Sequence, residues 1–137
     1  MKITGSDGQL LSEAWREGAH AYLGISTHGF PNMHMLYGPN TNLGHSSIII
    51  MIEAQARYVV QAIVGLQRNK QATMNVKQPI EHSYNMELQK RLAGLAFAMV
   101  DASWYMDGNR ITNNWAGGTR EYVRRLKQID WSAYSTT

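Results

Sequence analysis

Apolar residues along this chain gather into three helical stretches separated by turn-rich segments, and the first stretch differs from the others. From Ser47 to about Arg68 the run opens with Ile48, Ile49, Ile50, Met51 and Ile52, which face every side of a helix axis. Its first turns are therefore expected to be buried all round. Further on, Ala54, Tyr58, Val59, Ala62, Ile63 and Leu66 continue a core face, with Gln55, Arg57, Gln61 and Gln67 on the other side. Ser46 or Ser47 is the expected N-cap, because a serine hydroxyl accepts a bond from one of a helix's first free amides. A second helix is expected from Pro79 to about Met99, with proline near its first turn and Tyr84, Leu88, Leu92, Leu95, Ala96 and Met99 at three-to-four spacing. A third starts at Thr119, with Tyr122, Val123, Leu126 and Ile129 on one face and Arg120, Arg124, Arg125 and Lys127 on the other.

Strand signals are shorter. Met33 to Tyr37 is a bulky run between Pro31-Asn32 and Gly38-Pro39 and predicts a buried strand; Thr73 to Val76 predicts an edge strand. Residues Met1 to Gly29 hold neither period and read as loop with short extended pieces. The pattern is mainly α with short β segments.

Composition narrows the picture. The 137 residues make one domain's worth of chain. A 44% hydrophobic share supports a packed core, and 17% charged residues against about 25% usually points to surface meant to be covered. Thirteen Lys plus Arg against ten Asp plus Glu leave +3, too little and too scattered for a nucleic-acid binder, so the cationic face of the third helix reads as solvated. The absence of cysteine excludes disulfides, thiolate metal sites and cysteine nucleophiles, and suits a reducing cytoplasm. The N-terminal residues lack the apolar run of a signal peptide, and Ile48 to Ile52 is too short to cross a bilayer, so no membrane is expected.

Single residues carry little chemistry. His20, His28, His34 and His82 lack ligand spacing, so no metal site is expected. His45 reads as a loop histidine bonded to backbone. Glu53, taken as buried in the second turn, should bond backbone amides or a neighbouring arginine. Trp104 and Trp115 serve either as packing anchors or as ligand contacts. The strongest local feature is the loop Gly38 to Ser47, which leads into a helix start. Free amides and the positive end of the helix dipole there suit an anion or an electron-rich ring, and Gly38 and Gly44 allow close backbone approach.

Several motifs then occur in order. Gly29-Phe30-Pro31-Asn32, Leu36-Tyr37-Gly38-Pro39-Asn40-Thr41-Asn42-Leu43-Gly44-His45 and Ile52-Glu53-Ala54-Gln55 resemble the end of the FAD-binding domain of flavin-dependent monooxygenases, the Baeyer-Villiger and flavin-containing group. Ala102-Ser103-Trp104-Tyr105, Gly108-Asn109-Arg110-Ile111-Thr112-Asn113-Asn114-Trp115 and Glu121-Tyr122-Val123-Arg124-Arg125 resemble the C-terminal tail of the same group. The resemblance implies the C-terminal part of an α/β fold with two dinucleotide-binding domains, here without the N-terminal Rossmann units. Residues 1–70 would end the FAD-binding domain and 71–137 form a helical and aromatic tail.

By that resemblance Asn42, Leu43, Gly44, Ser46, Ser47 and Ile48 are the candidate FAD neighbours, and Trp104 meets NADP or the substrate cavity. The activity implied is FAD- and NADPH-dependent insertion of one oxygen atom from O2 into a ketone or heteroatom. Ala102, Ser46 and Ala116 depart from the cysteine, asparagine and proline usual in the group. The chain carries no Gly-x-Gly-x-x-Gly fingerprint. It is therefore expected to be inactive alone, to hold no catalytic residue and to self-associate through its isoleucines; a non-catalytic oligomerisation or binding module is the alternative.

Overall fold

The computed structural model describes residues 1–43, 47–95, 106–107 and 110–137. In chain order the elements are α1 (Leu11–Ala14), α2 (Ile48–Arg68), β1 (Met74–Val76), α3 (Gln78–Ala93), β2 (Met106–Asp107), β3 (Arg110–Ile111), α4 (Thr119–Arg125), a 3-10 turn at Trp131–Ala133 and β4 (Tyr134–Thr136).

Helix α2 organises the core. Met51, Ala54, Tyr58, Ala62 and Leu66 recur at three-to-four spacing and are buried, against Leu88 and Leu92 of α3, Tyr122 and Leu126 of the α4 segment, and Met74, Val76 and Tyr134 of the sheet. Within this apolar mass the Tyr58 and Tyr134 hydroxyls bond each other at 2.9 Å, so neither is left without a partner. Tyr22 packs edge-on against Tyr84 and Tyr134. Gly65 lies under the Trp131 ring, where any Cβ would collide with it. Strand β1 pairs antiparallel with β4, Val76 opposite Tyr134, and β2 pairs with β3, Met106 opposite Ile111. The edge strand expected at Thr73 to Val76 thus acquires its partner from the end of the chain.

Three expectations change. The Ile48–Ile52 pentad is not buried all round: Met51 is buried and Ile48 and Ile52 half-buried, but Ile49 and Ile50 are 62% and 46% exposed. Only one flank of the helix has a core to meet. The exposed flank continues through Val60, Ile63 and Val64, so Ile63 leaves the core face assigned to it. This longer apolar run also makes α2 long and apolar enough, by length and composition alone, to cross a membrane, which the pentad by itself did not suggest. Second, Met33 to Tyr37 forms no strand. Asn32 and Tyr37 bracket it in left-handed backbone conformations (φ 59° and 58°), which break a ladder at both ends. Third, α3 ends at Ala93 with Gly94 at its C-cap rather than near Met99; residues 96–100 lie outside the described part.

The N-terminal third has almost no regular structure and is held by side chains. Glu81, buried in the first turn of α3, accepts from the His28 amide at 2.8 Å and faces His20 Nδ1 at 2.9 Å. His28 Nδ1 donates to the Val76 carbonyl at 2.8 Å. Asn32 bonds both ways across β1, donating to Ala72 O and accepting from the Met74 amide, each at 2.9 Å. These contacts account for two of the histidines without any ligand role. Among the described residues no three His, Asp or Glu side chains converge as metal ligands.

Leu92 is fully buried where α3 meets the rest of the core. Replacing it with alanine should cost about 2 to 5 kcal/mol, read as a drop in the urea midpoint with an unchanged m-value.

Candidate cofactor-facing loop

The loop Tyr37–Leu43 precedes α2 and is fixed from three sides. Asn40 adopts φ 58° and is buried. Its amide donates to Thr112 O at 2.8 Å, and its side chain donates to Ile111 O at 2.6 Å and Asn114 O at 3.1 Å. Asn42 forms a parallel bridge with the segment after β3: its amide donates to Asn113 O and its carbonyl accepts from the Trp115 amide, both at 2.9 Å. The Asn42 side chain accepts from the Tyr37 hydroxyl at 3.1 Å. Thr41 Oγ1 closes the turn onto Gly38 O at 2.7 Å. A Cβ at Gly38 would run into the Gly24 carbonyl, and one at Gly24 (φ 68°) into Thr41, so these two glycines let the loop lie directly against the Tyr22–Ser26 turn.

Of the predicted cofactor neighbours, Asn42, Leu43, Ser47 and Ile48 are described; Gly44, Ser46 and Trp104 lie outside the described residues. Leu43 and Ile48 are half-buried against the core, leaving an apolar edge at the mouth of α2. Ser47 occupies the N-cap position and is exposed, but its hydroxyl makes no capping bond. The expected serine bond is therefore absent at Ser47, and Ser47 faces outward instead of being enclosed. The first turn of α2 contains no acidic residue, so no carboxylate there neutralises the positive end of the helix dipole. The arrangement offers a flat, electron-rich ring an apolar edge in Leu43 and Ile48, a fixed polar side chain in Asn42 and a helix N-terminus.

Trp115 anchors the far side. Buried, it donates from Nε1 to Gly118 O at 3.3 Å, packs edge-on against Tyr122 at 5.2 Å, and lies 5.6 Å from the guanidinium groups of both Arg91 and Arg125. Glu121 holds those arginines in place, through a two-pronged pair with Arg91 at 2.8 and 2.9 Å and a contact with Arg125 at 3.1 Å. Of the two roles left open for it, Trp115 takes that of packing anchor. Arg120, Arg124, Arg125 and Lys127 are all exposed, as a solvated face requires, although the Arg125 head also reaches Glu121 and the Trp115 ring. Glu53 is also exposed rather than buried, and pairs with Arg57 one turn on at 3.6 Å.

Gln55 is the largest departure. Placed on the polar side from sequence, it is fully buried. Its Oε1 accepts from the Tyr37 amide at 2.8 Å, its Nε2 donates to the Tyr122 hydroxyl at 2.9 Å, and that hydroxyl donates to Leu23 O at 2.6 Å. The spacing Met51, Gln55, Tyr58, Ala62 carried the signal: three of the four are core residues, and Gln55 continues their row. Leu23 and Tyr37 are non-glycine residues with φ of 55° and 58°, a conformation costing on the order of 1 kcal/mol each.

Comparison with known proteins places these features. No protein-family model matches the chain. It is 38% identical over 140 residues to the FAD-binding monooxygenase ktnD of Aspergillus niger, covering 98% of this chain and 23% of that protein. It is 38% identical over 138 residues to a Baeyer-Villiger monooxygenase of Pseudomonas aeruginosa, covering 98% of this chain and 26% of the relative. Among solved structures, an oxidised steroid monooxygenase bound to NADP superposes with TM-score 0.87 at 25% identity, over 98% of this chain and 26% of that one. OTEMO in complex with FAD and NADP gives 0.86 at 26% identity, over all of this chain and 26% of that one. The chain is thus a homologue of flavin-dependent monooxygenases of the Baeyer-Villiger group, as its motifs implied. It spans about a quarter of the length of the curated relatives it matches.

The Glu121 cluster yields a pH dependence. Hydrogen bonds from Arg91, aided by the charges of Arg91 and Arg125, hold the Glu121 carboxyl below its ordinary range. A depressed folded-state pKa stabilises above the unfolded value of about 4.3 and loses that contribution as pH falls through the folded value. With both side chains about a third exposed, the contribution is about 1 kcal/mol or less. Glu121→Gln should therefore lower stability at neutral pH, and the gap from wild type should close in denaturation curves taken below about pH 4.

Proposed function

We propose that this chain is the part of an FAD- and NADPH-dependent monooxygenase that presents the mouth of α2 and the loop before it to the flavin. The whole enzyme would insert one oxygen atom of O2 into a ketone or heteroatom substrate. Asn42, Leu43, Gly44, Ser46, Ser47 and Ile48 would line the flavin, and Trp104 would meet NADP or the substrate cavity. No residue of the chain is assigned a catalytic role. The observation that carries this reading is the pairing of a rigidly braced Asn42 with an acid-free helix start, in a chain whose homologues are named monooxygenases. When bound, FAD supplies the redox and oxygen chemistry. The chain's own part is to orient the ring with the Asn42 side chain, to exclude water with Leu43 and Ile48, and to favour negative charge on the ring edge nearest α2.

The exposed side of α2 supports a second feature of this reading. Ile49, Ile50, Val60, Ile63 and Val64 form an outward apolar stripe, which in a longer protein would be covered and which in the isolated chain drives self-association. A role as an oligomerisation module rests on the same stripe.

A chimera tests the reading: this chain replaces the matching quarter of the Pseudomonas aeruginosa relative. The chimera should purify yellow, with absorbance at about 450 nm, and consume oxygen with NADPH, and Asn42→Ala should weaken its hold on FAD. A folded chimera that retains no flavin overturns the proposal. The chain alone should be colourless and elute as a dimer or larger; light scattering from a monomer at about micromolar concentration defeats the association.

A further inference from the structure

We propose that Gln55 and Tyr122 are positioning residues for the loop that carries Asn42, acting as a buried relay that clamps Leu23 and Tyr37 in left-handed conformations. The functional meaning of the clamp rests on the flavin-facing reading of that loop; the clamp itself rests on geometry alone.

The relay has only one possible direction. The Tyr37 amide can only donate, so the oxygen end of the Gln55 amide must face it. That turns the NH2 group to the Tyr122 oxygen, which must accept, leaving the phenol hydrogen for Leu23 O. Burial raises the Tyr122 pKa, so the proton stays on the oxygen and the chain of donors is not reversed. All four positions are buried or backbone, and no water is needed to complete them.

Both ends of the relay land on residues whose φ is positive although they are not glycine. Such conformations persist where surrounding contacts over-determine them. Leu23 belongs to the turn Tyr22–Ser26 and Tyr37 to the loop before α2, and the two segments touch back to back at Gly24 and Gly38. Tyr37 in turn holds Asn42 through its hydroxyl. The path from the core of α2 and α4 to Asn42 is therefore three hydrogen bonds long, through Tyr122, Gln55 and Tyr37.

Amide hydrogen exchange on the 15N-labelled chain tests this, reading Tyr37 against Ile25 and Ser26, whose amides close the Tyr22 turn, with Leu92 as core reference. In Gln55→Met the Tyr37 amide should exchange about tenfold faster, the effect of one lost buried hydrogen bond. Tyr122→Phe should release Ile25 and Ser26 while Tyr37 stays protected. In Gln55→Glu the carboxylate accepts from both Tyr37 N–H and Tyr122 O–H, which pulls the hydroxyl from Leu23 O, so Tyr37 stays protected and the turn loosens. Uniform acceleration that includes Leu92, or a Tyr37 amide unchanged in Gln55→Met, overturns the relay. Tyr122→Phe removes a single oxygen and decides the matter where a Gln55 variant fails to fold. Flavin affinity of the chimera separates the two layers: selective loosening in Gln55→Met with unchanged FAD binding leaves the clamp standing and overturns its role toward the cofactor.

Discussion

A buried amide that bonds one segment through its oxygen and another through its nitrogen is the constraint around which the rest of this fold is arranged. Gln55 sits on the core row of α2, bonded to the loop before the helix and to α4, and through Tyr122 to the turn near residue 23. Apolar packing brings these four segments together, but it is tolerant of small rotations. A satisfied polar network is not, because a misplaced partner leaves a desolvated donor or acceptor behind. Apolar burial supplies the main free energy of the fold, and the relay adds directional bonds between its segments.

The same division of labour recurs at the edges. The N-terminal third is fastened by Glu81, His28 and Asn32 onto α3 and β1. Trp115 is wedged between two arginines held by Glu121. In the N-terminal third, backbone amides and carbonyls that lack a ladder are completed by side chains, which is how loops remain ordered without regular structure.

The helices were legible because they depend on periodicity, and α2, α3 and α4 begin beside the turn residues and the proline that mark their starts, although no side chain caps any of the three. What was illegible depended on partners far along the chain. Strand β4 shows no alternation over its three residues and exists because β1 faces it. The Met33–Tyr37 run has strand composition, yet left-handed residues on either side deny it a ladder. For the site, the loop and its family likeness were readable from ordered motifs, whereas the burial of Gln55 and the exposure of Glu53 were assigned the wrong way round. Helical phase distinguishes them only once the core side of α2 is known, and an opening pentad that is apolar on every side conceals that phase.

The outward stripe of α2 alters what substitution can do in this protein. Val60 and Ile63 keep about half of their surface in solvent, so exchange among aliphatic residues there disturbs the domain's own fold little and chiefly changes what it adheres to. Leu23 and Tyr37 answer to the opposite rule: the Leu23 side chain is in the core and the Tyr37 hydroxyl holds Asn42, and both must in addition keep a left-handed backbone. For this domain's own fold, the ordinary-looking loops are thus more stringent than its most hydrophobic surface.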